Sequence, residues 1–228
     1  MHSTKDNLQV LYEDNHIIAV NKRPGDIVQG DKTGDKPLVE VVKEYIAHKY
    51  NKPGAVFLGV VHRLDRPTSG VIIFARTSKA LSRLNKLFAT RTTEKIYWAI
   101  VKNEPPKEKD TLVHYLVRNS KQNKSYANDK EVPNSKKAVL HYQIIRKLKN
   151  YFALEIALET GRHHQIRSQL SAIGIPIKGD IKYGFDRSNP DGSIHLHARE
   201  LKFTHPVTKE ILHIVAPTPK DVLWDTFI

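Results

Sequence analysis

The alternation of apolar and polar side chains is clearest between residues 139 and 158. In Phe152 to Leu158, residues 152, 154, 156 and 158 share one face and residues 153, 155 and 157 the other, the period of a β-strand with one buried face. Val139 to Ile145 is the apolar-rich strand that precedes it. These two segments predict a hairpin. Other apolar runs predict further strands at Leu8–Tyr12, Ile17–Asn21, Val71–Phe74, Ile96–Val101 and Ile194–Phe203, and in a segment ending at Val215.

Helical spacing appears in fewer places. Pro37 suits a first helical position, and apolar residues recur every three to four positions from there to Tyr50. A second helix is expected from an N-cap at Ser78, a third over Arg162–Leu170, and a short closing helix after Pro219. Because strands outnumber helices, the sequence predicts an α+β fold with a large mixed, mostly antiparallel sheet flanked by helices and loops.

Two polar regions interrupt these elements. Residues 102–137 predict a loop or insertion around one strand, Thr111 to Val117. This region could form a flexible flap against RNA, although lysine-rich loops are commonly only solvated. Lys22–Gly25 and Gly30–Lys36 predict a basic, Gly-rich loop without P-loop spacing, either a plain surface loop or one beside an RNA backbone. We expect residues 1–228 to form a single domain.

Charge adds the first indication of a partner. The 228 residues contain 37 Lys and Arg against 24 Asp and Glu, a formal net charge of +13. Such an excess favours a polyanionic partner, with nucleic acid the leading candidate. An anionic membrane surface is the rival, but it would usually require a basic amphipathic helix with a bulky apolar face, which the sequence lacks.

Other functional classes are not favoured by the sequence. There is no cysteine, no apolar run long enough to span a bilayer, and no hydrophobic signal core in Met1–Asp6. We therefore expect a soluble, cytoplasmic protein. The twelve histidines match no metal-binding spacing, so we expect no metal; a metal-dependent nuclease is a rival that a chelator would silence.

The most informative stretch runs from Val60 to Phe74. It places Asp65 between Arg63 and Arg66, in a turn region with Pro67 and Gly70, just before the predicted buried strand. Adjacent arginines hold a carboxylate ionised, which suits a catalytic group. Taken alone, the same string is more typical of an ion pair that only ties down a loop.

Several separated blocks resemble the RluA-type pseudouridine synthases. His62–Gly70 is similar to the signature H-R-L-D-x-x-[TS]-[ST]-G of that family, and Lys95–Ala99 is similar to its K-x-Y-x-A strand. Thr160–Arg167 resembles T-G-R-x-H-Q-I-R. The further similar blocks are Tyr12–Asp14, Asn21–Lys22, Gly179–Asp180, Tyr183–Gly184 and His197–Arg199 with Leu201 and the His205–Pro206 turn.

The resemblance implies the pseudouridine-synthase catalytic fold without an S4-type domain, and an enzyme that isomerises uridine to pseudouridine in structured rRNA or tRNA. Asp65 would be the catalytic carboxylate acting on the ribose, as a nucleophile at C1′ or a base at C2′. Tyr97 would contact the uracil and assist proton transfer at C5, and Arg167 would pair with Asp65. Arg63 would fill the gap left by the flipped nucleotide. The other expected RNA-contacting residues are His62, Arg66, Arg162 and Gln165.

The same resemblance implies that neither a cofactor nor a membrane is needed, and we expect a monomer. Three positions depart from the family pattern: Arg23 replaces a common Pro, His163 a common Thr, and Gln169 a common His. None coincides with the three expected catalytic residues, although each could alter the fit to RNA. The alternative is a non-catalytic RNA-binding protein that uses the same fold.

Overall fold

A computed structural model describes residues 2–31 and 33–227. Three residues of the predicted domain lie outside the described residues: Met1, Lys32 and Ile228. Lys32 is also part of the predicted basic loop. The chain divides into two compact units. Unit 1 contains the residues up to Glu94 and Ala198–Pro219, and unit 2 contains Lys95–His197 and the residues from Lys220 onward. The expectation of one domain over 1–228 stays a prediction.

The elements follow one another in this order: β1 (Val10–Glu13), β2 (Ile17–Lys22), α1 (Leu38–Lys49), β3 (Gly59–Val60), β4 (Ser69–Ala75), α2 (Ser78–Ala89), β5 (Glu94–Val101), β6 (Lys109–Asn119), β7 (Lys124–Asn128), β8 (Lys136–Lys147), β9 (Phe152–Leu158), α3 (Gln165–Ala172), a 3-10 turn (Ile181–Tyr183), β10 (Leu196–Thr204), β11 (Ile211–Val215) and α4 (Val222–Phe227).

In unit 1 the strands lie in the order β1-β2-β4-β10, with β3 on β4 and β11 on β10. β2 and β4 are antiparallel, from Ile17 opposite Ala75 to Lys22 opposite Gly70. All seven residues of β4 are buried, and five of them form the apolar run Val71–Ala75. α2 covers this core with Ala80 and Leu84.

In unit 2 the strands lie in the order β5-β9-β8-β6-β7, and each neighbouring pair is antiparallel. Ile166 and Leu170 of α3 pack on the core that Leu140, Leu154 and Ile156 supply from the sheet. The predicted hairpin of residues 139–158 is therefore confirmed as β8 and β9. The α+β class with a mostly antiparallel sheet is also confirmed.

The polar region 102–137 contains more strand than its composition suggested. Thr111–Val117 lies inside the longer β6, which pairs with β8 from Lys109 opposite Gln143 to Leu116 opposite Lys136, and β7 adds the next strand. The buried face of β6 alternates Leu112, His114 and Leu116. Because a histidine interrupts the apolar positions of β6 and β7 is mostly polar, the period was weak in the sequence.

Two helix boundaries differ from the prediction. α2 is capped by Thr77, whose Oγ1 accepts from the N–H of Ala80 at 3.1 Å, and Ser78 is its first helical residue. α3 begins at Gln165 instead of Arg162. The preceding His164 has a left-handed backbone with φ 51°, which separates the turn from the helix.

Candidate active site

Asp65 lies in unit 1, in the loop that connects β3 to β4, and it is half-buried. Its carbonyl oxygen accepts from the N–H of Thr68 at 3.0 Å, which closes a turn around Arg66 and Pro67. Leu64, beside it in the chain, is buried in the protein. The turn and the anchored leucine hold the backbone on both sides of Asp65.

Lys22, at the end of β2, binds the backbone of this loop. Its side chain is fully buried, and Nζ donates to the carbonyl oxygens of Arg23 at 3.0 Å, Arg66 at 3.0 Å and Thr68 at 2.6 Å. Three carbonyl acceptors match the three N–H groups of an ammonium ion. Burial lowers the pKa of Lys22 to about 7, while the charges of Asp26 and Asp65 act in the opposite direction.

The segment after Lys22 also contacts the Asp65 loop. The N–H of Gly25, whose φ is +91°, donates to the carbonyl oxygen of Arg66 at 2.8 Å. The buried carboxylate of Asp26 accepts from the hydroxyl of Ser3 at 2.6 Å. Lys22–Gly25 therefore supports the loop that carries Asp65. The prediction of a plain surface loop for these residues did not include this contact.

The three cationic or titratable neighbours of Asp65 lie in different surroundings. Arg63 is exposed, and within residues 2–31 and 33–227 no hydrogen bond or ion pair engages its guanidinium. Arg66 is exposed and paired with Asp35. His62 is half-buried: its Nε2 accepts from the N–H of Ile73 at 3.1 Å, and its ring stacks on Phe88 at 4.9 Å between centroids.

Arg167 lies in unit 2, in the first turn of α3, and is buried. Its Nε donates to Oδ2 of Asp180 at 2.7 Å and its Nη2 to Oδ1 at 2.8 Å, a bidentate ion pair. Nη1 is 3.2 Å from Nε2 of His164, and the guanidinium lies 4.9 Å from the centroid of the Tyr183 ring. Three side chains, one from the turn before α3 and two from the 180–183 segment, thus set the direction of this cation.

Tyr183 extends the same cluster towards β7. Its hydroxyl accepts from the N–H of Ser125 at 2.8 Å and lies 2.9 Å from Nδ1 of His164. The hydroxyl of Ser125 donates to the carbonyl oxygen of His163 at 2.8 Å. The β6–β7 hairpin therefore supports the turn that leads into Arg167.

Tyr97 is also in unit 2, on β5, opposite Ile156 of β9 and half-buried against the core. Gln165 is buried: its Oε1 accepts from Thr160 at 2.8 Å and from the N–H of Arg162 at 2.9 Å, and its Nε2 donates to Val139 at 3.1 Å. Nε of Arg162 donates to the carbonyl oxygen of Lys137 at 3.1 Å. The side chain of Gln165 thus links the turn before α3 to β8.

The structure brings together Arg167 with Asp180, His164 and Tyr183 in unit 2, and Asp65 with Lys22 in unit 1. Lys22, Asp180 and Tyr183 stood within similar blocks of the sequence, yet none was assigned a site role. The predicted pairing of Asp65 with Arg167 joins residues of different units and stays a prediction. In the described residues, no three His, Asp or Glu side chains are grouped in a way that could hold a metal ion.

The comparison with known proteins concerns most of the chain. Residues 16–172 match the family model described as RNA pseudouridylate synthase, and this span includes Asp65, Tyr97 and Arg167.

The chain belongs to the RNA pseudouridylate synthase family.

Three relatives illustrate the membership. An uncharacterized RNA pseudouridine synthase of Synechocystis is 32% identical, over 93% of this chain and 66% of its own length. The uncharacterized RNA pseudouridine synthase YlyB of Bacillus subtilis is 32% identical, over 95% and 71%. Ribosomal large subunit pseudouridine synthase D of Zymomonas mobilis is 33% identical, over 94% and 70%. The chain thus spans about two thirds of the length of these relatives.

Solved structures of the family share the fold. Human RNA pseudouridylate synthase domain containing 4 matches with a TM-score of 0.80 and 24% identity, over 95% of this chain and 90% of that one. Human RNA pseudouridylate synthase domain containing 1 matches with a TM-score of 0.76 and 22% identity, over 100% and 90%. The family and fold predicted from the sequence motifs are confirmed. In the described part of the chain, none of the helices is both long and apolar enough to cross a bilayer.

Proposed function

We propose that this member of the pseudouridylate synthase family isomerises uridine to pseudouridine in structured RNA, with Asp65 as the catalytic carboxylate. The observation that carries the proposal is the intact His62–Gly70 signature inside the family match, on a loop whose backbone carbonyls are bound by buried Lys22. A carboxylate on a fixed loop meets the precision that a reacting group needs.

The reaction detaches uracil by breaking the bond between N1 and C1′, rotates the base, and rejoins it through a bond between C5 and C1′. The proton on C5 then leaves, and N1 gains a proton, so the product is an isomer of the substrate. Asp65 starts this sequence either by attack on C1′ or by removal of the proton on C2′. The proposed steps use only groups of the protein and the RNA, with no cofactor.

Tyr97 and Arg167 complete the proposed catalytic set. Tyr97 contacts the uracil and assists the transfer of the C5 proton. Arg167 stabilises the ionised form of Asp65, because an opposite charge within a few ångströms favours a carboxylate over its neutral acid. The bidentate bond to Asp180 supports this role, since it fixes the direction of the guanidinium before substrate binds.

Base flipping is the second part of the proposal. The target uridine has to leave its stack to bring C1′ and C5 to the protein groups, and this unstacking costs a few kcal/mol. Exposed Arg63, two residues before Asp65, is suited to occupy the vacated space. His62, Arg66, Arg162 and Gln165 remain the proposed supporting residues for RNA, and the net charge of +13 favours phosphate contacts.

Relatives such as ribosomal large subunit pseudouridine synthases C and D are named for an rRNA substrate. We therefore propose rRNA as the first substrate to test and tRNA as the second. A cytoplasmic, monomeric enzyme is the simplest form of the proposal.

The direct experiment incubates purified protein with total RNA from cells that lack it, in the presence of a chelator. Nucleosides are then separated and pseudouridine is counted by mass spectrometry. We expect a gain with the wild type and a loss of at least about a hundredfold in rate with Asp65→Asn. The matched control is Asp6→Asn, which removes an exposed carboxylate of the same unit and should keep full activity.

Equal activity of the wild type and Asp65→Asn would refute the catalytic role. RNA binding without any gain in pseudouridine on rRNA or tRNA would instead support the non-catalytic alternative. Activity that the chelator abolishes would contradict the proposed cofactor-independent chemistry.

A further inference from the structure

Unit 2 contains a cleft of about 470 Å³ next to the C-terminal end of β5, where Lys102 follows Val101. Its lining includes Lys102, Lys178 and Arg187 together with Tyr151 and Phe185. Tyr97 and Lys102 are five residues apart, about 16 Å along an extended strand. The cleft therefore lies outside the reach of a base that contacts Tyr97.

Among the residues that line this cleft, three cations face one carboxylate, Asp186, which lies 3.4 Å from Nζ of Lys102. Outside the lining, Asp191 and Asp221 also act electrostatically on Lys178. Arg187 is exposed, and the described chain supplies no hydrogen bond or ion pair to its guanidinium. A concave lining with more cations than carboxylates favours anions over cations.

Lys178 is the most constrained of the three cations. It is half-buried, and Nζ donates to Oδ1 of Asn189 at 2.7 Å, which in the described chain engages one of its three N–H groups. Burial lowers the pKa of Lys178, although the charges of Asp221 and Asp191 oppose this. An anion bound at this ammonium would offset the cost of its burial.

A rigid polar wall holds Lys178 in place. Asn189 is buried and its Nδ2 lies 3.0 Å from Nδ1 of His195, whose Nε2 lies 3.0 Å from Oδ1 of Asp221. Gly179 has φ +86°, and a Cβ there would come within 2.8 Å of the Asn189 side chain. This close approach requires glycine, so the backbone next to Lys178 packs directly on Asn189.

Aromatic surface completes the site. Tyr151 and Phe185 are both half-buried in the lining. Proteins that bind single-stranded nucleic acids commonly combine cations, which bind phosphates, with aromatic rings, on which bases stack. The volume is also within the range of small-ligand clefts.

We propose that this cleft binds one nucleotide of the RNA at a position other than the uridine that is isomerised, with its phosphate at Lys102, Lys178 and Arg187 and its base against Tyr151 or Phe185. The choice of RNA rests on the proposed function, because a free nucleotide offers the same chemistry. The cleft would then determine which sequence beside the target uridine the enzyme accepts, or which distance along the RNA between that uridine and the bound nucleotide.

The test measures binding of a fluorescein-labelled single-stranded oligouridylate over a range of salt concentrations. Lys102→Ala/Arg187→Ala should weaken binding roughly tenfold at low salt and reduce the slope of log Kd against log salt by about 1.4, the value for two lost phosphate contacts. The control, Lys52→Ala/Lys79→Ala, removes the same charge from exposed positions in unit 1 and should leave both quantities nearly unchanged. Phe185→Leu should weaken binding about fivefold with no change in slope.

An unchanged Kd and slope in Lys102→Ala/Arg187→Ala overturns the proposal, and so does an equal loss in the control. A third arm titrates uridine 5′-monophosphate. If Lys102→Ala/Arg187→Ala loses affinity for that nucleotide but keeps its RNA affinity, the site serves a free nucleotide and the RNA assignment fails. Binding is measured without turnover, so the two proposals can fail separately. If the wild type makes no pseudouridine, the isomerase proposal fails. If Lys102→Ala/Arg187→Ala nevertheless binds RNA more weakly than the wild type, the cleft proposal is supported.

Discussion

Arg167 and Asp180 form a buried bidentate ion pair, with exposed side-chain fractions of 5% and 1%. The two donor–acceptor distances, 2.7 and 2.8 Å, are those of charge-assisted hydrogen bonds. Replacement of a buried ion pair by apolar residues is often neutral for stability, whereas removal of one partner is strongly unfavourable. We therefore regard Asp180 as a positioning residue that fixes the direction of Arg167.

Asp180→Asn should lower the free energy of unfolding by about 3 kcal/mol, because the buried guanidinium loses its counter-charge while the volume is preserved. Urea denaturation measures this change. Asp186→Asn is the matched control: it is in the same segment, its carboxylate is 73% exposed, and its substitution should change stability by less than about 0.5 kcal/mol. Similar stability of the two variants would contradict the assigned role.

Lys22 gives a second prediction. Lys22→Met retains an unbranched chain but leaves the carbonyl oxygens of Arg23, Arg66 and Thr68 without their donor. We expect the free energy of unfolding to fall by about 3–5 kcal/mol. We also expect loss of pseudouridine formation at temperatures where the variant is still folded, since the Asp65 loop loses its support. Lys43→Met, at a half-buried position of α1 where the lysine pairs with Glu40, is the control for loss of a lysine charge.

The pKa of Lys22 predicts how stability depends on pH. Its folded value is about 7 and its ordinary value is 10.5, so between these limits the unfolded chain binds a proton that the folded protein has released. The free energy of unfolding therefore rises with pH across this window, by at most about 1.4 kcal/mol per pH unit, and shows no gain below about pH 7.

The measurement compares the wild type with Lys22→Met, in which this group cannot titrate. Their difference in free energy of unfolding should increase as the pH is raised from about 7 to about 9. A difference that stays flat or decreases over this interval contradicts the prediction.

The contrast between Asp65 and Lys22 explains what the sequence could reveal. Asp65 stands in a contiguous motif, so its loop, the following buried strand and the family were predictable. Lys22 binds carbonyls that lie up to 46 residues further along the chain, and Arg167 binds a carboxylate 13 residues away. Hydrophobic periodicity contains no information about such polar contacts. β7 was missed for a related reason, because it is a polar strand that is held by its backbone pairing with β6.

Gly70 tests how tightly the start of β4 is packed. It has φ +116°, and a Cβ there would lie 2.3 Å from the carbonyl oxygen of Ala198. Gly70→Ala should destabilise the protein by several kcal/mol or prevent folding, because strand β10 would have to move. Gly174→Ala separates the two causes: its φ is +79°, with nothing within 4 Å of the added Cβ, so it should cost only about 1 kcal/mol. Equal thermal stability of the two variants would contradict the packing argument.

Arg63 distinguishes a base-flipping side chain from a docking side chain. Arg63→Ala removes one cation from a surface with many, so the Kd for RNA should rise only a few fold. The rate of isomerisation under saturating RNA should fall further, by about tenfold to a hundredfold, because the unstacked state loses the group that occupies the gap. Filter binding gives the Kd, and single-turnover formation of pseudouridine gives the rate.

Arg118→Ala, an exposed cation on β6, is the control and should change neither the Kd nor the rate by more than a few fold. If the Kd of Arg63→Ala rises as steeply as the rate falls, Arg63 docks the RNA and does not assist flipping.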